Sequence, residues 1–225
     1  MLRSVARTFA WIGLPTLGTL LALGFRPSET DWRTFSEARN PKIAHATLAL
    51  PDGQAIRLLG VPDIGGGPAF FLGEREITRA EFRAFDPSFE GHPGSAAVSH
   101  AQALAFCEWL SQRSGRRVRL PTLAEWRLAA RGGIPNAEFP WGFSRNLRPR
   151  GVRFALDTKP RRPGPPLGYG FRDLAGGLWE WTVEGRAIGG AWSERDPDRL
   201  RIDTAISLPD GYRDEDSGFR ILVEE

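Results

Sequence analysis

Cysteine is nearly missing from this chain: Cys107 is the only one in 225 residues. A single thiol excludes an internal disulfide and any metal or redox centre built on two sulfur donors of the same chain. Lysine is almost as scarce, with Lys42 and Lys159 the only two, so the positive charge is carried by arginine. The formal charge is +3, of which Arg3 and Arg7 contribute two, leaving 3 − 2 = +1 for the rest. So small a surplus gives no basic footprint, and a nucleic-acid partner is not expected. The three histidines, His45, His92 and His100, show none of the spacings of a ligand set. No metal site is therefore legible from them.

What the chain does have is 26 glycines, 18 prolines and 8 tryptophans. Turn formers and large aromatics in that proportion point to a loop-heavy α+β fold anchored by tryptophan. The length suits one buried core with a short extension. Residues 1–25 start with Arg3 and Arg7 and continue in an uncharged apolar run, residues 9–25. This reads as a signal peptide or an N-terminal membrane anchor, which places the rest in the periplasm or outside the cell, tethered to the inner membrane if the run is not cleaved. Residues 26–42 are polar and read as a linker, and residues 43–225 as one domain.

Within that domain, residues 43–59 alternate apolar and polar around Pro51-Asp52-Gly53, the pattern of a β-hairpin. Gly65-Gly-Gly-Pro68 breaks the chain before a short strand at residues 69–72. No Lys-Ser/Thr follows the glycines, so they form a loop and not a phosphate cradle. Three helices are expected from Ser or Thr followed three residues later by Glu or Gln: Thr78 with Glu81, Ser99 with Gln102, and Thr122 with Glu125. In the second, Ala103, Phe106, Cys107 and Leu110 share one face, which makes Cys107 a core residue and not a reactive thiol. Beyond Gly133 periodicity fades into long loops, with a mobile stretch expected within residues 148–166. Strands return at residues 178–182 and 218–223, the first with Trp179 and Trp181 on one face.

The order of motifs is specific. Glu76-Ile-Thr-Arg-Ala-Glu-Phe82, Arg119-Leu-Pro-Thr-Leu-Ala-Glu-Trp126, Phe139-Pro-Trp-Gly142, Phe171-Arg-Asp-Leu-Ala-Gly-Gly-Leu-Trp-Glu-Trp-Thr182, Gly189-Gly-Ala-Trp192 and Gly218-Phe-Arg220 follow one another. The series resembles the formylglycine-generating enzyme, or sulfatase-modifying factor, family. That resemblance implies a compact C-type-lectin-like fold with little regular secondary structure, three short helices and short antiparallel strands. Its best-known members oxidise a sulfatase cysteine with copper held by two cysteines. Others include a periplasmic siderophore-maturation protein, iron-dependent sulfoxide synthases and non-catalytic components of envelope machinery.

On the resemblance, Glu194 stands at the first copper-binding cysteine and Arg199 at the second. A carboxylate and a guanidinium are not the soft donors copper(I) takes, so no copper cofactor is expected. Gly177 replaces an Asn that belongs to a structural calcium site in some members, and Glu180 alone does not supply calcium's oxygen-rich shell. Two readings follow. The first is an extracytoplasmic binding or accessory module for an envelope protein, peptide or glycan. The alternative is a metal-independent enzyme similar to the siderophore-maturation branch, with Glu194 moving protons. The candidate site comprises Glu194 as catalytic residue, with Trp192, Arg195, Arg199 and Arg201 binding the substrate. An inward-facing Glu194 in a deep cleft would favour the enzyme, and Glu194 paired to Arg199 or Arg201 the binding module.

Overall fold

The computed structural model describes residues 43–62, 68–91, 94–143, 152 and 166–224. The leader, the linker, His92 and the Gly65–Gly67 run lie outside the described residues, as does nearly all of 148–166. The elements are strands β1 (His45–Ala49), β2 (Ala55–Pro62) and β3 (Pro68–Gly73), helices α1 (Arg79–Arg83) and α2 (His100–Ser114), β4 (Val118–Arg119), and helix α3 (Leu123–Arg131). After them come β5 (Trp179–Trp181), β6 (Arg186–Ile188), a 3-10 turn at Pro197–Leu200, β7 (Ala205–Ser207), β8 (Ser217–Gly218) and β9 (Leu222–Val223).

Local chemistry forms these elements where expected. Gly53 takes φ +86° in the turn that pairs Ala49 with Ala55 in the β1–β2 hairpin. Thr78, Ser99 and Thr122 each accept a hydrogen bond from the third helical N–H and return one through Glu81, Gln102 and Glu125, so all three helices open with a capping box. Gly115 and Gly132, both left-handed, close α2 and α3.

Two sheets result. One has five antiparallel strands in the order β1-β2-β3-β9-β4, and the other has the order β7-β6-β5-β8. In the second sheet β8 runs parallel to β5, an exception to the antiparallel arrangement expected. The single strand expected at 218–223 is also corrected. Gly218 pairs with Glu180 in the small sheet while Leu222 pairs with β3 and β4 in the large one. The chain changes sheets at Phe219-Arg220-Ile221, a switch that alternation of residue types cannot reveal.

The core forms two clusters. Trp126, Phe139, Trp141 and Phe171 lead one, and Phe82, Phe106, Trp181 and Phe219 the other. Cys107 is buried in the second, and burial pushes its thiol well above the ordinary range, so it is packing and not chemistry. Among the described residues, no helix is long and apolar enough to cross a membrane.

Candidate functional site

The site is organised by β5. Alternation along Trp179-Glu180-Trp181 sends the two indoles to one side and Glu180 to the other. Glu180 is fully buried, and both its oxygens are taken. Arg220 donates from Nε to Oε2 at 2.6 Å and from Nη2 to Oε1 at 2.5 Å, and Trp126 Nε1 donates to Oε2 at 2.8 Å. The remaining Arg220 N–H groups reach the carbonyls of Gly73, Glu74 and Arg172. A buried ion pair is tolerable only when its hydrogen-bonding capacity is filled in this way.

A second buried carboxyl lies beside it. Glu76, 3 % exposed, accepts from the Leu178 N–H at 2.6 Å and from Ser95 Oγ at 2.5 Å. Gly177 makes room for it, because a Cβ there would stand 2.2 Å from Glu76 Oε1. Burial, then the charges of Asp173 and Glu180, push the Glu76 carboxyl up to about 8.

From this interior the chain reaches the surface through Gly189-Gly190, both with positive φ. A Cβ at Gly190 would sit 2.6 Å from the Arg199 carbonyl, so the turn lies directly against the 3-10 helix. Trp192 N then donates to the Gly177 carbonyl at 2.8 Å, and Glu194 N to the Ala191 carbonyl at 3.1 Å. The half-buried Glu194 carboxylate accepts from Trp179 Nε1 at 2.9 Å. Around it, Ser193 Oγ donates to Asp216 Oδ2 at 2.9 Å, and Tyr212 donates its hydroxyl hydrogen to Asp216 Oδ1 at 3.0 Å. Partial burial, then Asp216, Asp214 and Glu194, push the Tyr212 hydroxyl up to about 12.

The structure therefore divides the five residues singled out from sequence. Trp192 and Glu194 are neighbours, joined through Gly177 and Trp179. Arg201 faces elsewhere, pairing with Glu138 at 3.0 Å and lying 5.5 Å from the Phe139 ring centroid. Arg195 and Arg199 are exposed. The charges that act on Tyr212 beside Glu194 are the carboxylates of Asp214 and Asp216. Sequence reading missed Glu76, whose partners Ser95 and Leu178 are brought to it only by the fold, and the local pair Tyr212 and Asp216. The Glu76-Ile-Thr and Gly-Phe-Arg220 motifs were the signal that Glu76 and Arg220 matter.

The donor sets bear directly on metals. Glu194 Oε1 is engaged by an indole, Arg199, which the resemblance puts at the second cysteine, is exposed, and the one thiol is buried in α2. These residues do not fit copper(I). Nor do Gly177, which has no side chain, and Glu180, whose oxygens are held by Arg220 and Trp126, fit calcium. Among the described residues, no group of three His, Cys, Asp or Glu side chains is arranged to hold a metal ion.

With the fold and this geometry in place, comparison with known proteins is direct. The family profile of the sulfatase-modifying factor enzyme 1-like domain matches residues 87–225. The chain belongs to that family. It is 36 % identical over 104 residues to the formylglycine-generating enzyme of Mus musculus, covering 39 % of this chain and 26 % of the mouse protein. It is 39 % identical over 100 residues to the inactive C-alpha-formylglycine-generating enzyme 2 of Bos taurus, covering 38 % and 31 %. The chain thus spans about a third or less of the length of these curated relatives. Among solved structures, Treponema denticola variable protein 1 superposes with a TM-score of 0.59 at 19 % identity, covering 82 % of this chain and all of that one. This last likeness is one of fold.

Proposed function

We propose that this member of the family is a binding or accessory module of the cell envelope and not a copper oxidase. One observation carries the reading: at the position the resemblance gives to the first copper-binding cysteine, Glu194 is held by the Trp179 indole at 2.9 Å. A carboxylate is a hard oxygen donor, and this one gives an oxygen to a structural tryptophan, so it does not replace the soft thiolate that copper(I) takes. A relative whose name marks it as inactive, in Bos taurus at 39 % identity, shows that this family includes members without the oxidase activity. The extracytoplasmic location, with or without a membrane anchor, rests on the charged start and apolar run of residues 1–25.

The contact surface of this module is the loop pair 192–194 and 212–216, where Trp192 and Tyr212 stand among Glu194, Asp214 and Asp216. An aromatic platform rimmed by carboxylates suits a partner segment that presents amide or cationic groups. The test is co-purification from the envelope fraction of the native host, using the tagged full chain and two variants. A partner retained by the wild type and by Arg117→Ala, but reduced at least tenfold by Trp192→Ala, supports the module. Reproducible turnover of a thiol, siderophore or peptide substrate that Glu194→Gln abolishes overturns it in favour of a metal-independent enzyme.

A further inference from the structure

A β-sheet leaves a row of unpaired N–H and C=O groups along each of its edges unless something fills them. The two sheets here have four edges, β1 and β4 in the large one and β7 and β8 in the small one. Three are closed from within. On β4, Ser111 Oγ accepts the Val118 N–H at 2.9 Å and lies 2.8 Å from the Val118 carbonyl oxygen. On β8, Ser217 donates its N–H to the Asp214 carbonyl at 3.1 Å and accepts the Val98 N–H on its own carbonyl at 3.2 Å. Strand β7 is only three residues long, and the Arg186 guanidinium holds its Ala205 carbonyl.

Strand β1 is the exception. Gly60 N donates to the Ala44 carbonyl and Leu50 N to the Gln54 carbonyl, which in the register of this hairpin turns the even-numbered residues toward β2. The backbone groups of His45, Thr47 and Ala49 therefore point away from the sheet, and among the described residues nothing pairs with them. The devices that normally guard an edge are also missing. Residues 43–51 hold no Lys, Arg, Asp or Glu, β1 contains no proline, and His45, Thr47 and Ala49 are all exposed.

The charges that flank the strand say what fits. Lys42 precedes it in the sequence, and Asp52 follows in the hairpin turn. A second β1 laid antiparallel about a two-fold axis at Thr47 sets the Lys42 end of each copy against the Asp52 end of the other, whereas a parallel one sets like with like. In that register Thr47 meets Thr47, a favourable cross-strand pair, and the small Ala49 lies opposite His45. We propose that the β1 edge is a homodimer interface, in which two copies join their five-stranded sheets through about six backbone hydrogen bonds. The interface uses none of the residues of the 192–194 and 212–216 loops, so it stands or falls apart from the partner reading above.

The test is sedimentation equilibrium of the full chain in mild detergent at about 100 μM, because one strand pair is at the small, transient end of interfaces. A monomer–dimer equilibrium is expected. Thr47→Pro should weaken it about tenfold or more, because the ring takes the place of an outward N–H that β2 does not use, and the hairpin keeps its ladder. Two cysteine variants read the register and carry the test if the proline variant does not fold. Thr47→Cys should form an intermolecular disulfide on mild oxidation, since residues opposite one another at the axis are about 5.5 Å apart at Cα. Ala49→Cys, about 14 Å from its own copy, should not. Cys107 is buried and does not compete. A monomer at that concentration, whether its edge is open or is filled by residues 26–42 or a foreign strand, overturns the proposal. So does a dimer that Thr47→Pro leaves unchanged, or equal crosslinking of the two cysteine variants.

Discussion

Glu180 and Glu194 each accept an indole N–H, from Trp126 and Trp179 respectively, and live under opposite conditions. Glu180 is fully buried, with three donors on its two oxygens and a guanidinium in contact. Glu194 is half-buried, has an indole N–H on one oxygen, and is followed in the chain by the exposed Arg195. The Trp-Glu-Trp-Thr and Gly-Phe-Arg motifs that announce the family are directed inward and consumed by the scaffold. On the resemblance, the loop that carries chemistry in the family's oxidases is the one that holds Glu194 and Arg199 here. Motifs of this kind certify the fold while leaving function to be argued from the site.

If the interior is over-determined and the surface is not, the largest effect belongs to Arg220. Arg220→Met strands Glu180 as an uncompensated buried charge and should cost about 3–5 kcal/mol, measured by denaturant unfolding. A double variant that also replaces Glu180 with Leu should recover much of that loss. Failure to recover would show that the carbonyls of Gly73, Glu74 and Arg172 depend on Arg220 more than Glu180 does.

The next effect is a pH dependence. The Glu76 carboxyl is raised in the folded state from 4.5 to about 8, so the folded state binds a proton there that the unfolded chain has released. Its contribution to stability is complete below pH 4.5 and is lost as pH rises through 8. Between pH 6 and pH 9 the wild type should lose roughly 2–3 kcal/mol from this group, and Glu76→Gln should flatten that slope. Thermal denaturation across that range reads it directly.

The smallest effect sharpens the contrast. Glu194→Gln keeps an acceptor for the Trp179 indole and should change stability by about 1 kcal/mol or less, and Arg195→Ala by under about 0.5 kcal/mol. A loss at Glu194 comparable to that at Arg220 would erase the distinction between scaffold and surface.

The sequence made the helix starts and the first hairpin legible because their determinants are local. Thr78, Ser99 and Thr122 each find their partner three residues away, and Gly53 sits inside the turn it permits. Glu76 was not legible as a site residue because the N–H it holds belongs to Leu178, 102 positions on. Whether Glu194 pairs with Arg199 or Arg201 was left open by the sequence. The turn at Gly189-Gly190 and the 3-10 helix instead carry Arg201 to Glu138, and the deciding contact of Glu194 comes from Trp179, fifteen residues earlier. The break at Phe219–Ile221 was hidden because the flanking strands, Ser217–Gly218 and Leu222–Val223, are only two residues each, and which sheet each joins is a tertiary decision.

We propose that Glu194 and Arg199 stand where the resemblance puts the two copper-binding thiols, and that the chain carries no copper oxidase chemistry. The most direct measurement incubates the purified chain with copper(I), oxygen and a cysteine peptide of the sulfatase type, and follows aldehyde by mass spectrometry. No aldehyde above the copper-only control is the expected result, unchanged in Glu194→Gln. Aldehyde formed catalytically by the wild type and lost in that variant would contradict it.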